Sequence, residues 1–321
     1  IDLGIDDIEL VSNLVPFSNC DELLSHLKQE AKERVGPYGL NYQGGPYWWG
    51  EPEMARAEGM AMDESAMALE STTSNSVSSS GSSEGSNENS FTGTNVQEVG
   101  VDEPDIVKTD GNRILVVNDG TLSYITVNGS KGNMTDQIKI SDGWGHELFI
   151  SGDRALLFTN SGGYDYITSD GMTDESTSER PMSSYIPAAQ VVEIDLTDPY
   201  NLQIAGEIKI TGNYLSARLV GDTVRMAVNS APNQLEWVYP SNPGSEDRAT
   251  RFNRELIDET TIDDWTPQFT LKKGDTISTG SLLPCEDLHR PENFSGFDVL
   301  SVLSFDIAEG LTEGNGVGVL A

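Results

Sequence analysis

The sequence has few of the residues that hold transition metals. Its 321 residues include two cysteines, Cys20 and Cys285, and three histidines, His26, His146 and His289. These five residues are scattered along the chain and make no zinc-ligand spacing, so no zinc site is predicted. The two cysteines would either form one disulfide in an oxidising compartment or stay apart, and their positions in the sequence leave both outcomes open.

Basic residues and long apolar runs are also scarce. Lysine and arginine total 19 against 52 acidic residues, which gives a formal net charge of -33. The resulting negative field repels nucleic acid and anionic lipid, so neither is a predicted partner. No apolar run reaches the roughly 18 residues of a membrane span. No secretory leader is visible, and because the first residue is Ile1, we interpret the N-terminus as processed or truncated.

Recognisable catalytic constellations are missing as well. None of the histidines lies in the context of a nucleophilic triad, and no glycine-rich phosphate loop occurs. The many acids offer numerous carboxylate pairs, but a hydrolytic pair requires two acids that face each other across a pocket with separated pKa values. The sequence motifs therefore predict no defined reaction.

The N-terminal part of the chain predicts one helix, over residues 17–35. Ser18 and Asn19 are both suitable N-caps with an acid in the first turn, and Gly36 followed by Pro37 ends the helical pattern. Apolar residues recur at helical spacing and form one stripe. The stripe consists of Cys20, Leu23, Leu24, Leu27 and Ala31.

Composition divides the chain into three parts. An aromatic stretch rich in glycine and proline, residues 37–50, follows the helix, and a serine-rich segment follows at 71–94. The serine-rich segment has too little apolar surface to offset the entropy of ordering, so it predicts a flexible linker. We therefore expect an N-terminal helical and aromatic segment over 1–70, the linker over 71–94 and one larger domain over 95–321.

The larger domain has the pattern of an all-β fold. Short apolar or alternating runs are separated by glycine, asparagine and aspartate, which is typical of many short strands joined by tight turns. The predicted strands cover residues 113–118, 122–127, 137–140, 147–151, 154–159, 190–195, 203–210, 216–220, 223–227 and 299–306.

A weak internal repeat runs through these strands. The string DGNRILVV at 110–117 resembles SGDRALLF at 151–158, about 41 residues later, and VGDTVRMAV at 220–228 has the same pattern. A polar insertion at 164–184 separates the second and third copies. Repeats of about 40 to 45 residues with four strands each are typical of a β-propeller. We expect three to four four-stranded sheets and an incomplete ring.

The stretch FTGTNVQEVGVDEPDIVKTDGNRILVV, residues 91–117, resembles the opening signature of a family of secreted archaeal and bacterial proteins with a C-terminal β-propeller. The matching positions are Thr94, Asn95, Gln97, Gly100, Val101, Asp102, Glu103, Asp105, Val107, Lys108, Thr109, Asp110 and Gly111. The predicted helix and the run from VVEIDLTDP to GDTVRMAV also resemble that family. The resemblance implies an extracellular or cell-surface propeller, and it implies no particular reaction.

Two interpretations fit the acids of GVDEPD. Asp102, Glu103 and Asp105 could bind a cation such as Ca²⁺ together with acids from other sheets, although their spacing is not that of a calcium loop. Alternatively, Asp102 and Glu103 accept hydrogen bonds from backbone N–H groups at the entry to a strand, and Lys108 pairs with a neighbouring acid. Asp110 would then make the turn before the next strand.

These observations lead to one functional expectation and two alternatives. We expect an extracellular or cell-surface β-propeller that acts as a binding module for a protein or glycan. One alternative is a propeller enzyme, a hydrolase or a quinoprotein-like protein, with its site at the propeller axis. The other is a surface scaffold stabilised by calcium.

Overall fold

The computed structural model describes residues 14–40, 101–140, 143–165, 184–232, 235–242, 244–312 and 315–321. The predicted linker over 71–94 lies outside these ranges, as does most of the aromatic stretch. Its described elements are β1 (Val15–Pro16), α1 (Cys20–Arg34), β2 (Val101–Asp102), β3 (Val107–Thr109), β4 (Arg113–Asn118), β5 (Thr121–Asn128), β6 (Lys131–Lys139), β7 (Trp144–Ser151), β8 (Arg154–Asp165), β9 (Ser184–Asp195), β10 (Gln203–Thr211), β11 (Asn213–Val220), β12 (Thr223–Ser230), α2 (Glu246–Glu259), β13 (Gln268–Lys273), β14 (Thr276–Ser281), β15 (Leu288–Arg290), β16 (Val299–Asp306) and β17 (Asn315–Leu320).

The strands form three sheets, each built around a four-stranded antiparallel meander. The first sheet has the order β3-β4-β5-β6, the second β7-β8-β9-β10-β13-β14, and the third β2-β11-β12-β16-β17-β15-β1. In the third sheet β15 pairs with β17 in parallel. The prediction of an all-β propeller fold preceded by a short helix is confirmed, and the described residues contain three such sheets.

The second sheet is covered on both faces, because the other two sheets pack against it. Ala155 and Leu157 of β8 belong to a core shared with the first sheet. Leu156 and Phe158, the residues between and after them, belong to a core shared with the third sheet. Successive side chains of a strand point to opposite faces, which explains why β8 reads as an unbroken apolar run rather than an alternating one.

The repeat marks the same turn in each sheet. Asp110-Gly111, Gly152-Asp153 and Gly221-Asp222 lie between the first and second strands of their meanders. The glycine has a positive φ in all three copies, at 90°, 54° and 61°, a conformation that glycine adopts without a steric penalty. The repeated string is therefore a turn followed by a strand buried against a neighbouring sheet.

Helix α1 is capped and buried as the sequence predicts. Its N-cap residue is Asn19, whose side chain accepts a hydrogen bond from the Glu22 amide at 2.9 Å. Leu23, Leu27 and Ala31 are fully buried in the core of the second and third sheets. Neither helix of the described part is long and apolar enough to cross a membrane.

A long insertion between β12 and β16 was not predicted from the sequence. It carries α2, a hairpin of β13 and β14 that extends the second sheet at β10, and β15, which extends the third sheet. The insertion also holds the N-terminal segment: β1 pairs with β15, Lys32 of α1 forms an ion pair with Asp258 of α2, and a disulfide joins Cys20 to Cys285. The two cysteines therefore form a disulfide, which is one of the two outcomes that the sequence left open.

Removing the disulfide should destabilise the protein. The bond links residues 265 positions apart, and a disulfide restricts the unfolded chain more strongly as the loop that it closes becomes longer. We expect the Cys20→Ser, Cys285→Ser double variant to lose about 2–5 kcal/mol of unfolding free energy, as measured by guanidinium denaturation. Equal denaturation midpoints for the variant and the oxidised wild type would contradict this role.

Candidate functional site

One short segment touches the first strand of every meander. Residues 101–109, which we call the crossing segment, begin as β2, where Asp102 pairs with Leu219 of β11 in the third sheet. Asp105 then forms a bridge to Leu148 of β7 in the second sheet, with N···O distances of 3.3 and 2.8 Å. The segment ends as β3, the first strand of the first sheet. The predicted site residues Asp102, Glu103 and Asp105 therefore lie where the three sheets converge.

Lys108 of the crossing segment is buried, and its charged ammonium group is buried with it. The residue is 5% exposed, and its Nζ lies 2.6 Å from Asp102 Oδ1. The same ammonium donates to the Glu103 carbonyl oxygen, and it lies 5.7 Å from the centroid of the Phe149 ring. A buried ammonium is costly unless it is paired and hydrogen-bonded, so the turn at Glu103 and the position of Asp102 both depend on Lys108.

Glu103 faces away from this pair and meets the third sheet. Its Oε1 lies 3.2 Å from Nη2 of Arg218 on β11, and the two side chains are 42% and 47% exposed. An ion pair with this much exposure contributes little to stability. Both groups remain accessible to a ligand.

A tyrosine and a carboxylate form a third pair between the second and third sheets. The Tyr214 hydroxyl donates to Glu147 Oε2 at 3.0 Å. The side chain of Asn160 holds the tyrosine backbone from β8, because it accepts from the Tyr214 amide at 2.7 Å and donates to the Tyr214 carbonyl at 3.2 Å. The tyrosine ring stacks on Phe158, with the centroids 5.5 Å apart. These contacts fix the direction of the hydroxyl.

The electrostatics keep the tyrosine neutral. Burial is the main cause that raises the pKa of Tyr214 far above its ordinary value, and the charge of Glu147 adds to it, while the charge of Arg218 acts in the opposite direction. Tyr214 thus remains a hydrogen-bond donor across the physiological pH range.

Together these residues form one polar group, which we call the crossing cluster. It contains acids, bases and one phenol, and its members come from the crossing segment and the first strands of the second and third sheets. Its members are Asp102, Glu103, Lys108, Glu147, Tyr214 and Arg218. Sequence reasoning did not single out Glu147, Tyr214 or Arg218, since no local motif marks them and only the packing of the sheets brings them to the crossing segment.

The carboxylates of the predicted cation site each have a partner within the protein. Asp102 meets Lys108 and Glu103 meets Arg218, while Asp105 accepts a hydrogen bond from the Ile106 amide at 2.7 Å. Across the part of the chain that the structure describes, no group of three or more His, Cys, Asp or Glu side chains is arranged to hold a metal ion. Calcium binding by Asp102, Glu103 and Asp105 stays a prediction.

The contacts of the crossing segment agree in part with the alternative interpretation, because the carboxylates of Asp102 and Glu103 meet the side chains of Lys108 and Arg218 and not backbone amides. Lys108 pairs with a neighbouring acid, as that interpretation requires. Asp110 Oδ1 accepts from the amides of Asn112 and Arg113 at 3.0 and 3.2 Å, which closes the turn before β4.

A second polar region lies at the opposite end of the second sheet, beside the β7–β8 turn. Glu193 is 2% exposed and is paired with Arg154. Its carboxylate also accepts from the Leu311 amide at 2.8 Å, so it ties the loop after β16 to the second sheet. A cavity of about 360 Å³ adjoins this pair, with Asp153 and Asp195 in its wall. Because the buried carboxylate already has two partners, we assign this region a structural role.

Comparison with known families gives one match. A family model described as "Beta propeller domain" matches residues 91–321, which include the whole crossing segment and every strand of the three sheets except β1. Comparison with curated proteins and with solved structures gives no match.

The pair of Lys108 and Asp102 should be energetically coupled. We expect Lys108→Met to cost about 2–3 kcal/mol, somewhat less than for a fully buried pair, because Asp102 retains access to water. A double-mutant cycle with Asp102→Asn should give a coupling energy of about 1–3 kcal/mol, measured by urea denaturation.

The matched control is Lys272→Met, which removes an exposed lysine from β13 and should change stability by less than about 0.5 kcal/mol. Additive effects of the Lys108 and Asp102 substitutions would show that the pair does not hold the crossing segment.

Proposed function

The chain belongs to the β-propeller domain family, and from that premise we propose that it acts outside the cell as a binding module. In this proposal the crossing cluster holds a polar group of a cell-surface protein or glycan. The observation that carries the proposal is the Glu103–Arg218 pair, an accessible acid and base where the crossing segment meets the third sheet.

The chemistry of the cluster suits recognition of polar groups. Arg218 offers a planar set of donors that fits carboxylates, and Glu103 accepts hydrogen bonds from hydroxyl or ammonium groups. Arg218 lies on β11, which pairs with β12, and Glu103 directly follows β2, which pairs with β11. A site built on rigid strands loses less conformational entropy on binding than a site on a free loop.

The disulfide supports a location outside the cytoplasm. Disulfides persist in secreted and cell-surface proteins and are rare in reducing compartments. The cysteines Cys20 and Cys285 are both oxidised, and the described residues contain no free cysteine. The large negative charge is compatible with solubility in an environment where salt screens repulsion between molecules.

Reversing the charge of Arg218 should abolish most of the binding. The experiment immobilises the protein fraction and the polysaccharide fraction of the cell envelope separately, and records wild-type binding to each by biolayer interferometry. Arg218→Glu places two acids opposite each other, so we expect at least about tenfold weaker binding to the fraction that the wild type recognises.

The matched control is Arg254→Glu on the exposed side of α2, which makes the same change in net charge away from the cluster and should leave binding unchanged. Failure of the wild type to bind either fraction would overturn the proposed function. Equal loss in both variants would show that only net charge matters, and it would remove the crossing cluster from the account.

A further inference from the structure

Among the described residues, no element covers the outward face of the first sheet or that of the third sheet. On the first sheet, Val107, Val116 and Ser123 form one row across the strands, and Ile114, Ile125 and Met134 form the next. Val107 and Met134 are 39% and 56% exposed. These six residues define the free face of the first sheet. Its opposite face, with Leu115 and Leu122, is buried against the second sheet.

The third sheet has a matching surface on its other side. Ala227, Val302 and Val317 form one row across β12, β16 and β17, and Leu300 and Val319 lie in the row beside it. Val302 and Val317 are 40% and 51% exposed. These five residues define the free face of the third sheet.

Acidic side chains are absent from the centres of both faces. The two rows of the first free face continue to Gln137 and Thr109, so the residues of these two rows are all uncharged. On the third sheet the charged residues next to the apolar rows are Arg218 and Arg225. The chain has 52 acids, and exposed apolar patches in such a protein mark surfaces that become covered.

The repeat indicates which kind of neighbouring sheet each free face would contact. Aligning DGNRILVV with SGDRALLF places Ile114 and Val116 at the positions of Ala155 and Leu157, the residues of the second sheet that pack on the first sheet. Aligning SGDRALLF with GDTVRMAV places Ala227 at the position of Phe158, which packs on the third sheet. The free face of the first sheet therefore corresponds to the face of the second sheet that packs on the sheet before it. The free face of the third sheet corresponds to the face of the second sheet that packs on the sheet after it.

We propose that the occupant of these faces is a second copy of the chain. The free face of the first sheet in each copy packs on the free face of the third sheet in the other, so that two identical contacts close a ring of six sheets. Closed propellers have typically four to eight blades, and contacts between unlike faces form a closed ring when the rotation between copies allows it. The proposal does not depend on the proposed function, although Arg218 of the ligand site lies in the row next to the free face of the third sheet.

The size of the contact is sufficient for a stable dimer. Four strands about 4.8 Å apart and about five residues long give a face of roughly 300 Å². Two contacts, each burying two such faces, cover on the order of 1,300 Å², within the range of stable interfaces. The net charge of -33 on each copy opposes association, and since salt screens this repulsion, the dimer should become tighter as salt is raised.

The mass of the full chain in solution tests the proposal, by light scattering after gel filtration in moderate and high salt. We expect a species of twice 34.8 kDa. Met134→Lys on β6 and Val317→Glu on β17 change exposed residues on the fourth strands of the first and third meanders. Each variant alone should be monomeric, with an unchanged circular dichroism spectrum.

Mixing the two variants separates this arrangement from other dimers. One contact of the mixed pair places the introduced lysine against the introduced glutamate, and the other contact is wild type, so the dimer should reappear only in the mixture. The control substitutions Ile277→Lys and Ile277→Glu alter a 63% exposed residue on β14, outside both faces, and should remain dimeric. A monomeric wild type, an open polymer, or dimers that survive either single variant would overturn the proposal.

Discussion

The pairing of one nine-residue segment with three sheets is the constraint on which the rest of the structure depends. Residues 101–109 pair in turn with β11 and β7, the first strands of the third and second meanders, and end as β3, which pairs with β4 in the first sheet. Lys108 holds the turn between the first two contacts through Asp102 and the Glu103 carbonyl. Of the three acids of GVDEPD, Asp102 pairs with the buried lysine, Glu103 meets Arg218 and Asp105 accepts from the Ile106 amide.

Much of the fold could be predicted from local pattern. Strands β4 and β16 begin and end where alternation predicts, and the repeated turns identify the meanders, because each has one buried strand behind a Gly-Asp or Asp-Gly turn. Helix α2 and strand β14 were missed because they are polar: the buried residues of α2 include Asn253, which holds the backbone of Val238. Short strands such as β2 carry no periodicity of their own and exist through pairing alone.

The candidate site could be predicted in part. The unrepeated acids directed attention to the segment that the structure places at the convergence of the sheets, since residues outside the repeat cannot be explained by blade architecture. Glu147, Tyr214 and Arg218 come from strands that the repeat does describe, at positions where the repeat predicts no special role. Their convergence depends on how the second and third sheets pack around Phe158, which is a property of tertiary structure that sequence spacing does not encode.

Hydrogen exchange at the bridge between Asp105 and Leu148 tests the central claim most directly. If the crossing segment ties the sheets together, the amides of these two residues open only when the whole domain unfolds. We expect the amides of Asp105 and Leu148 to exchange as slowly as the amide of Val192 in the middle of the second sheet. Exchange of the two bridge amides many times faster than that of Val192, in an otherwise protected domain, would show that the segment lies on the sheets without holding them.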